Sequence, residues 1–224
     1  TIGYRLMKIF LQRYGIYLST TTIHKYMNKD LNLSAIVMRK KPGYKSCKKH
    51  KIFDNLLKQK FNVDEKNKIW CTDFTYMRQL NGKFRYNCTI MDLFDRSAIA
   101  SVNSDYINTE LAIETLTEAL KKEKPNNGIL LHSDQGVQYT SWEFVNFCKD
   151  NGVIQSMSKA GCPYDNAPME RFYNTFKNCF YYRYTFESVE QLDEMTKQYI
   201  NWYNYVRPHS TNNYMTPMEF RYRA

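Results

Sequence analysis

The sequence predicts an α/β protein with a mixed five-stranded sheet flanked by helices and preceded by a small helical segment. Three strand-like apolar runs separated by turn residues come first, and alternating helical and strand patterns follow them. Three antiparallel strands followed by such an alternation are typical of a mixed sheet with helices on its faces. The 224 residues, 43% of them apolar, suffice for one medium-sized domain with a small one beside it.

The first three strands are predicted over Ile69–Met77, Phe84–Leu93 and Ala98–Val102, with a hairpin signal at Asn81-Gly82. The later predicted elements are a helix over Thr109–Lys122, a strand over Ile129–His132, a helix over Ser141–Asp150, a strand over Val153–Ser158, a helix carrying Met169 to Phe180 and a covering helix over Val189–Tyr205. Glycine and prolines between Lys159 and Pro168 predict a loop there, which we expect to move when a ligand binds.

The net charge of +10 is concentrated in the first third of the chain. Residues 1–68 carry 16 Lys and Arg against 4 Asp and Glu, whereas residues 69–224 carry 16 against 18. A basic arm attached to a near-neutral core is typical of proteins that bind a polyanion such as DNA.

Residues 1–38 contain two helical patterns separated by Gly15, whose conformational freedom suits a tight turn. Ser19 or Thr20 can cap the second helix, which places Thr22, His24 and Lys25 towards solvent. This arrangement predicts a helix-turn-helix that contacts DNA. A small helical hairpin that only packs on its neighbour is the alternative interpretation.

Residues 39–62 read as a basic linker, followed by a catalytic core over residues 63–224. Pro42-Gly43 prevents a continuous helix, and the run around it has no acid. The interpretation as a solvated linker is compatible with phosphate contacts, because flexible cations can follow a DNA backbone. The candidate DNA-binding residues of this run are Arg39, Lys40, Lys41, Lys45, Lys48 and Lys49.

Three acids stand at the ends of predicted elements and are candidates for catalysis and for metal binding. Asp73 ends an apolar run, Asp134 follows the fourth strand, and Glu170 lies in the first turn of a helix, with 35 residues between the last two. Three converging carboxylates need a compensating cation, and oxygen-only ligands favour Mg²⁺ or Mn²⁺. Two such ions can promote attack on a phosphodiester by a water or a 3′-hydroxyl. Lys177, on the same helix, is the candidate holder of a DNA phosphate.

Each acid taken alone is more often a surface cap or a solvated charge, and Asp92 and Asp95 show that such placement is not unique. His132 is interpreted as a packed strand histidine. The six cysteines form no CxxC pair, which indicates a reducing setting. With no long apolar run or leader pattern, a cytoplasmic protein without a membrane partner is expected.

The sequence resembles the second-frame (OrfB-type) transposases of bacterial insertion sequences, which carry a retroviral-integrase-like core. The residues that carry the resemblance are Trp70–Tyr76, Met91–Arg96, His132–Ser141, Tyr164–Glu170, Asn201–His209 and Thr216-Pro217. The spacing between Asp134 and Glu170, with a basic residue seven positions beyond the glutamate, belongs to the same pattern. Arg171 and Cys162-Pro163 depart from the residues usual in relatives.

The resemblance implies a ribonuclease H-like fold and a Mg²⁺-dependent recombinase in which Asp73, Asp134 and Glu170 are catalytic. It also implies cleavage at the ends of a mobile element and transfer of a 3′-hydroxyl to another strand of double-stranded DNA. A homo-oligomer on DNA and an upstream-frame DNA-binding segment are the expected partners.

A non-catalytic DNA-binding remnant or regulator is the main alternative, to be distinguished by loss of one of the three acids, which the sequence does not show. A nuclease acting on RNA–DNA hybrids is disfavoured by the basic N-terminal segment. A glycosidase is disfavoured by the charge and by its need for only two acids.

Overall fold

The computed structural model describes residues 2–33, 51–126 and 128–223. A five-stranded sheet is formed by β1 (Ile69–Arg78), β2 (Phe84–Asp92), β3 (Ala98–Ser104), β4 (Ile129–Ser133) and β5 (Val153–Met157). The order across the sheet is β3-β2-β1-β4-β5. The first three strands are antiparallel neighbours, whereas β4 runs parallel to both β1 and β5. The predicted mixed five-stranded sheet is therefore confirmed.

The helices are named in chain order. They are α1 (Tyr4–Arg13), α2 (Thr20–Lys25), α3 (Thr109–Glu123), α4 (Val137–Thr140), α5 (Trp142–Asp150), α6 (Ala167–Cys179), α7 (Val189–Tyr205) and α8 (Pro217–Arg223), with a π-helical turn at Tyr26–Asp30 and 3₁₀ turns at Pro163–Asn166, Tyr181–Arg183 and Ser210–Asn212. No helix in these described ranges is long and apolar enough to cross a membrane.

Side chains that alternate along β1 divide the core into two layers. Trp70 packs in a cluster with residues of α3 and α5, such as Leu116 and Phe144. Cys71, the next residue, packs in a second cluster with residues of α6 and α7, such as Phe172. Successive side chains of a strand point to opposite faces, so every second residue of β1 after Cys71 faces the α6 layer. Asp73 is the first of these.

The strand predicted over Ile69–Met77 is confirmed, so the placement of Asp73 at the end of an element is wrong. The strand β1 continues to Arg78, because β2 supplies partners along this whole stretch, with Asp73 opposite Thr89. The turn between them contains Gly82 at φ 82°, as the Asn81-Gly82 signal predicts. What ends near Asp73 is the pairing with β4, whose last partner on β1 is Cys71.

The N-terminal residues form the two predicted helices. Gly15 adopts φ 76°, and the Ser19 hydroxyl accepts a hydrogen bond from the Thr22 amide at the start of α2. Arg13 of α1 forms a 2.8 Å ion pair with Glu219 of α8. The candidate residues Arg39, Lys40, Lys41, Lys45, Lys48 and Lys49 lie outside the described residues.

Residues 51–62, predicted as the end of a linker, pack against the core. Leu57 is only 2% exposed and belongs to the core cluster of the α6 layer. The Met157 amide donates to the Asp54 carbonyl oxygen at 3.3 Å, and the Leu56 amide donates to the Ser156 hydroxyl at 2.9 Å. The apolar Leu57 anchors this stretch because its burial stabilises the folded state.

A buried acid cluster joins the C-terminal helix to the core. Asp92 and Asp95, both 0% exposed, form ion pairs with Arg221 of α8, and Glu123 pairs with the same guanidinium. The strand-end placement of Asp92 and Asp95 is thus explained by a structural ion pair.

Candidate active site

Asp73 and Asp134 lie on neighbouring strands at the same level of the sheet. In the parallel register of β1 and β4, Cys71 is opposite His132. Asp73 lies two residues after Cys71, and Asp134 lies two residues after His132. Parallel neighbours in register point to the same face, and adjacent strands lie about 4.8 Å apart. The two carboxylates, the edge pair, therefore stand side by side on the α6 side of the sheet.

Backbone amides hold one oxygen of each carboxylate. The Phe74 amide donates to Asp73 Oδ1, and the Gly136 amide donates to Asp134 Oδ1, both at 2.8 Å. A Cβ at position 136 would lie 2.9 Å from that same oxygen. Any residue other than glycine there would displace the Asp134 carboxylate, so Gly136 is part of the site.

The electrostatics of Asp73 show a carboxylate that lacks sufficient compensation. Burial raises its pKa to about 8, and the charges of Asp134 and Glu170 act in the same direction. The Phe74 hydrogen bond and the positive charge of Lys177 lower the pKa but do not offset those causes. A cation between the two acids would remove this repulsion.

Two side chains on the helix side anchor α6 to β1 on either side of Asp73. The Asn166 amide nitrogen donates to the Thr72 carbonyl oxygen at 3.1 Å, and the Tyr173 hydroxyl donates to the Asp73 carbonyl oxygen at 2.8 Å. Residues three or four apart lie on one helix face, so Glu170 stands on the face between these anchors. The sequence alone does not single out Asn166 or Tyr173 for the site. The available signal is their spacing of four and three positions from Glu170, which places all three residues on one helix face.

The charges of Glu170 and Lys177 affect the pKa of Asp73 less than the charge of Asp134 does. Glu170 is exposed, and partial burial raises its pKa. The ammonium nitrogen of Lys177 lies 4.4 Å from the centre of the Tyr76 ring. Within the described ranges, no group of three His, Cys, Asp or Glu side chains is close enough to hold a metal ion. The structure thus brings two of the predicted acids together and leaves Glu170 on the facing helix.

The donor set nevertheless fits a hard divalent cation. The edge pair offers carboxylate oxygens only. The pKa of Asp73 is raised by burial and then by the charge of Asp134, and Mg²⁺ or Mn²⁺ would offset that second cause. Glu170 is exposed on α6, and its negative charge contributes to the raised pKa of Asp73.

The segment before α6 is more ordered than the sequence predicts. A 3₁₀ turn over Pro163–Asn166 leads directly into α6 at Ala167. Within it, the buried Asp165 accepts hydrogen bonds from the Lys159 amide, the Asn55 amide and the Gln59 amide. These contacts account for the lowered pKa of Asp165, for which the Lys159 amide is the largest cause. The predicted loop therefore has a fixed C-terminal half.

His132 is the packed strand histidine that the sequence indicates. Its ring nitrogens lie 2.9 Å from the Ser156 hydroxyl and 3.1 Å from the Ser158 hydroxyl. Burial lowers its pKa to about 4, so the ring is neutral at pH 7. It supports β4 against β5 and is not a ligand of the site.

The predicted DNA-contacting residues of α2 lie in different environments. The Thr22 hydroxyl lies 2.7 Å from that of Ser19, and the His24 ring packs edge-on against Tyr4 with ring centres 4.8 Å apart. Lys25 is exposed. His24 is exposed as well, so both residues face solvent as predicted.

Two family models described as integrase core domains match this chain, over residues 63–163 and residues 151–217. The putative transposase InsK for insertion sequence element IS150 of Escherichia coli (strain K12) is 31% identical over 98% of this chain and 77% of that protein. The transposase for insertion sequence element IS904 of Lactococcus lactis subsp. lactis (strain IL1403) is 35% identical over 74% of this chain and 66% of its own length.

Solved structures share the fold at low sequence identity. A chain of the simian T-cell lymphotropic virus intasome, solved with a regulatory subunit of PP2A, has a TM-score of 0.61 at 18% identity, covering 96% of this chain and 70% of that one. The HTLV-2 integrase catalytic core with magnesium has a TM-score of 0.55 at 15% identity, covering 70% and 97%. The catalytic domain of Mos1 mariner transposase gives 0.52 at 13%, covering 60% and 70%.

Proposed function

The chain belongs to the insertion-sequence transposases that carry an integrase core of ribonuclease H-like fold, and from this premise we propose that it cleaves and joins DNA strands during transposition. The reaction is a Mg²⁺- or Mn²⁺-dependent transfer of a phosphodiester to a 3′-hydroxyl. Its substrates are double-stranded element ends and target DNA, and the chain acts as a homo-oligomer on that DNA.

The observation that carries the proposal is the edge pair. The parallel register of β1 and β4 supports a side-by-side arrangement of Asp73 and Asp134, and the pKa of Asp73 is raised by burial and then by the charge of Asp134. Fixed carboxylates that repel each other in the protein alone are suited to bind cations without rearrangement.

In this reaction Asp73, Asp134 and Glu170 would hold two divalent cations. When bound, these ions would lower the pKa of the attacking water or 3′-hydroxyl and stabilise the leaving oxygen. The amides of Phe74 and Gly136 keep the edge pair oriented. The exposed Glu170 side chain completes the ligand set from α6, and Lys177 contacts a phosphate of the bound strand.

The test is a strand-transfer assay with labelled ends of the parent element, in the presence and absence of Mg²⁺. We expect Asp73→Asn to reduce joining by about a thousandfold or more, since it removes a ligand on which the reaction depends. Asp150→Asn, the same charge change at an exposed position of α5, is the matched control and should retain joining.

DNA binding by Asp73→Asn should stay within about twofold of the unaltered chain, because a ligand of the metal is not a main contact to the DNA backbone. Joining by Asp73→Asn at the rate of the control would exclude the proposed site. DNA binding without Mg²⁺-dependent cleavage by the unaltered chain would favour the DNA-binding regulator.

A further inference from the structure

A cavity on the other side of α6 from the edge pair is lined by four arginines. Its volume is about 690 Å³, within the range of cavities that bind small ligands or single ligand groups. Arg5 comes from α1, Arg96 from the turn between β2 and β3, Arg171 from α6 and Arg207 from the segment after α7. We call this space the arginine cavity.

The described residues that line the arginine cavity include no Asp or Glu. The nearest acids to Arg96 are Asp92 and Asp95, and their carboxylates form ion pairs with Arg221. The concentration of four guanidinium groups without a lining carboxylate leaves an excess of positive charge. An anion inside the cavity would be attracted by all four groups.

Two guanidinium nitrogens of the arginine cavity are buried without a hydrogen-bond partner. They are Nη1 of Arg96 and Nε of Arg207. A buried donor without an acceptor is costly, and such groups often indicate a missing ion or ligand. Arg96 and Arg207 are therefore two donors for which a bound anion would supply acceptors.

The head group of Arg207 is oriented by its surroundings. One of its terminal nitrogens donates to Nε2 of His209 at 3.2 Å, and the guanidinium lies 5.9 Å from the centre of the Tyr203 ring. Burial and the charges of Arg207 and Arg96 lower the pKa of His209 to about 3, which leaves the imidazole neutral and able to accept. The Arg207-Pro208-His209 motif, which forms no part of the edge pair, thus has a role in orienting Arg207 at the arginine cavity.

We propose that the arginine cavity binds a phosphate of a DNA strand, at a place distinct from the edge pair. The planar fork of an arginine matches the oxygens of a phosphodiester, and several arginines together are typical of phosphate recognition. That the phosphate belongs to DNA rests on the proposed function. The chemistry itself, an oxyanion held by guanidinium groups, is also that of free inorganic phosphate.

The position of the arginine cavity fits a strand that also passes the edge pair. Arg171 follows Glu170 directly on α6, and the two side chains point to different sides of the helix. A helix is about 10 Å across with its side chains, a distance spanned by about three nucleotides of one strand. The arginine cavity would thus hold the strand near the scissile phosphate.

The experiment measures binding of a short labelled duplex by anisotropy in EDTA at a series of KCl concentrations. Arg171→Gln and Arg5→Gln change exposed side chains, so both variants are expected to fold, which thermal melting verifies. Each should weaken binding by about tenfold, the effect of losing a charge-assisted hydrogen bond. Lys149→Gln, an exposed cation on α5 in the opposite layer, is the matched control and should change affinity less than twofold.

The slope of affinity against salt distinguishes one shared phosphate from two separate contacts. Loss of one phosphate contact lowers the slope of log affinity against log salt concentration by about 0.9. If Arg5 and Arg171 hold the same phosphate, the double variant should lower that slope by no more than this amount. Equal losses in Lys149→Gln would show a general effect of net charge and would overturn the proposal.

A second arm identifies the source of the phosphate. The melting temperature is measured in potassium phosphate and in KCl at equal ionic strength. One outcome is that phosphate raises the melting temperature of the unaltered chain but not of Arg171→Gln, while the two proteins bind the duplex equally well. The cavity then binds the free anion, and the assignment to DNA is wrong. Because no metal is present, a chain that fails to join DNA can still show the expected loss of binding.

Discussion

Two groups of acids in this protein follow apolar runs in the sequence, but their electrostatic surroundings in the folded chain differ. Asp92 and Asp95 are fully buried and bonded to Arg221, which the fold brings from the C-terminal helix. Asp73 and Asp134 stand beside each other, and the largest favourable contact of Asp73 is one backbone amide. The chain compensates the first group with its own cation. In the second group, the Phe74 amide and Lys177 do not offset the effects of burial and of Asp134 on the pKa of Asp73, which is typical of a site that binds a cation from solution.

The same contrast holds for the carboxyl pKa values. In both Asp92 and Asp73, burial is the first cause of a raised pKa and a neighbouring aspartate is the second. For Asp92 the next cause is the hydrogen bond from Arg221, which lowers the pKa. For Asp73 the nearby cation Lys177 is the weakest of the causes. The two carboxyl groups therefore differ in their cation partner, which is Arg221 for Asp92 and the more weakly acting Lys177 for Asp73.

The largest effect is expected from breaking the buried acid cluster. Arg221→Met leaves Asp92 and Asp95 buried without their counter-charge, and removing one partner of a buried ion pair costs about 3–5 kcal/mol of unfolding free energy. Urea denaturation measures the loss. Arg223→Met, an exposed neighbour on α8, should change stability by about 0.5 kcal/mol or less. A loss no greater than that of the control would mean that Arg221 does not compensate these acids.

A smaller effect is expected from the anchor beside the edge pair. Tyr173→Phe removes the donor to the Asp73 carbonyl oxygen and should cost about 1–3 kcal/mol of unfolding free energy. Since Tyr173 positions α6, the variant should also require more Mg²⁺ for half-maximal joining, whereas a loss of stability alone would leave that requirement unchanged. Tyr205→Phe, at an exposed position of α7, is the control for both measurements.

The smallest effect is a gain of stability in the metal-free protein. The pKa of Asp73 is about 8 in the folded state against an ordinary value of 3.8. Between those values the folded state retains a proton that the unfolded state has lost, so this group destabilises the fold increasingly as pH rises from about 4 to 8. Asp73→Asn should therefore be more stable than the unaltered chain near pH 8, and the difference in unfolding free energy should grow as the pH rises from about 4 to 8.

Chemical denaturation at several pH values measures the gain of Asp73→Asn, and Asp150→Asn should show none. Mg²⁺ should then stabilise the unaltered chain and have little effect on Asp73→Asn. A difference between the two chains that is independent of pH between 4 and 8 would contradict the raised pKa of Asp73.

The helices and strands could be predicted because their sequence signals are local. Apolar periodicity predicts the strands, and Gly15 and Gly82 mark turns that the structure contains at positive φ. Contacts between distant residues have no such signal. Arg221 is 126 positions from Asp95, and nothing near either residue indicates their ion pair. The four arginines of the cavity likewise come from separate parts of the chain and meet only in the folded protein.

The parallel register of β1 and β4 also has a consequence for the order of folding. Asp73 and Asp134 are 61 positions apart in sequence, and the hairpin of β1 and β2 can form long before β4 reaches its place. Closing a loop of that length has an entropic cost that is recovered only when the β4 contacts form. A nascent or partly folded chain therefore has its first acid without its second. The proposed site is therefore complete only once β4 has joined the sheet.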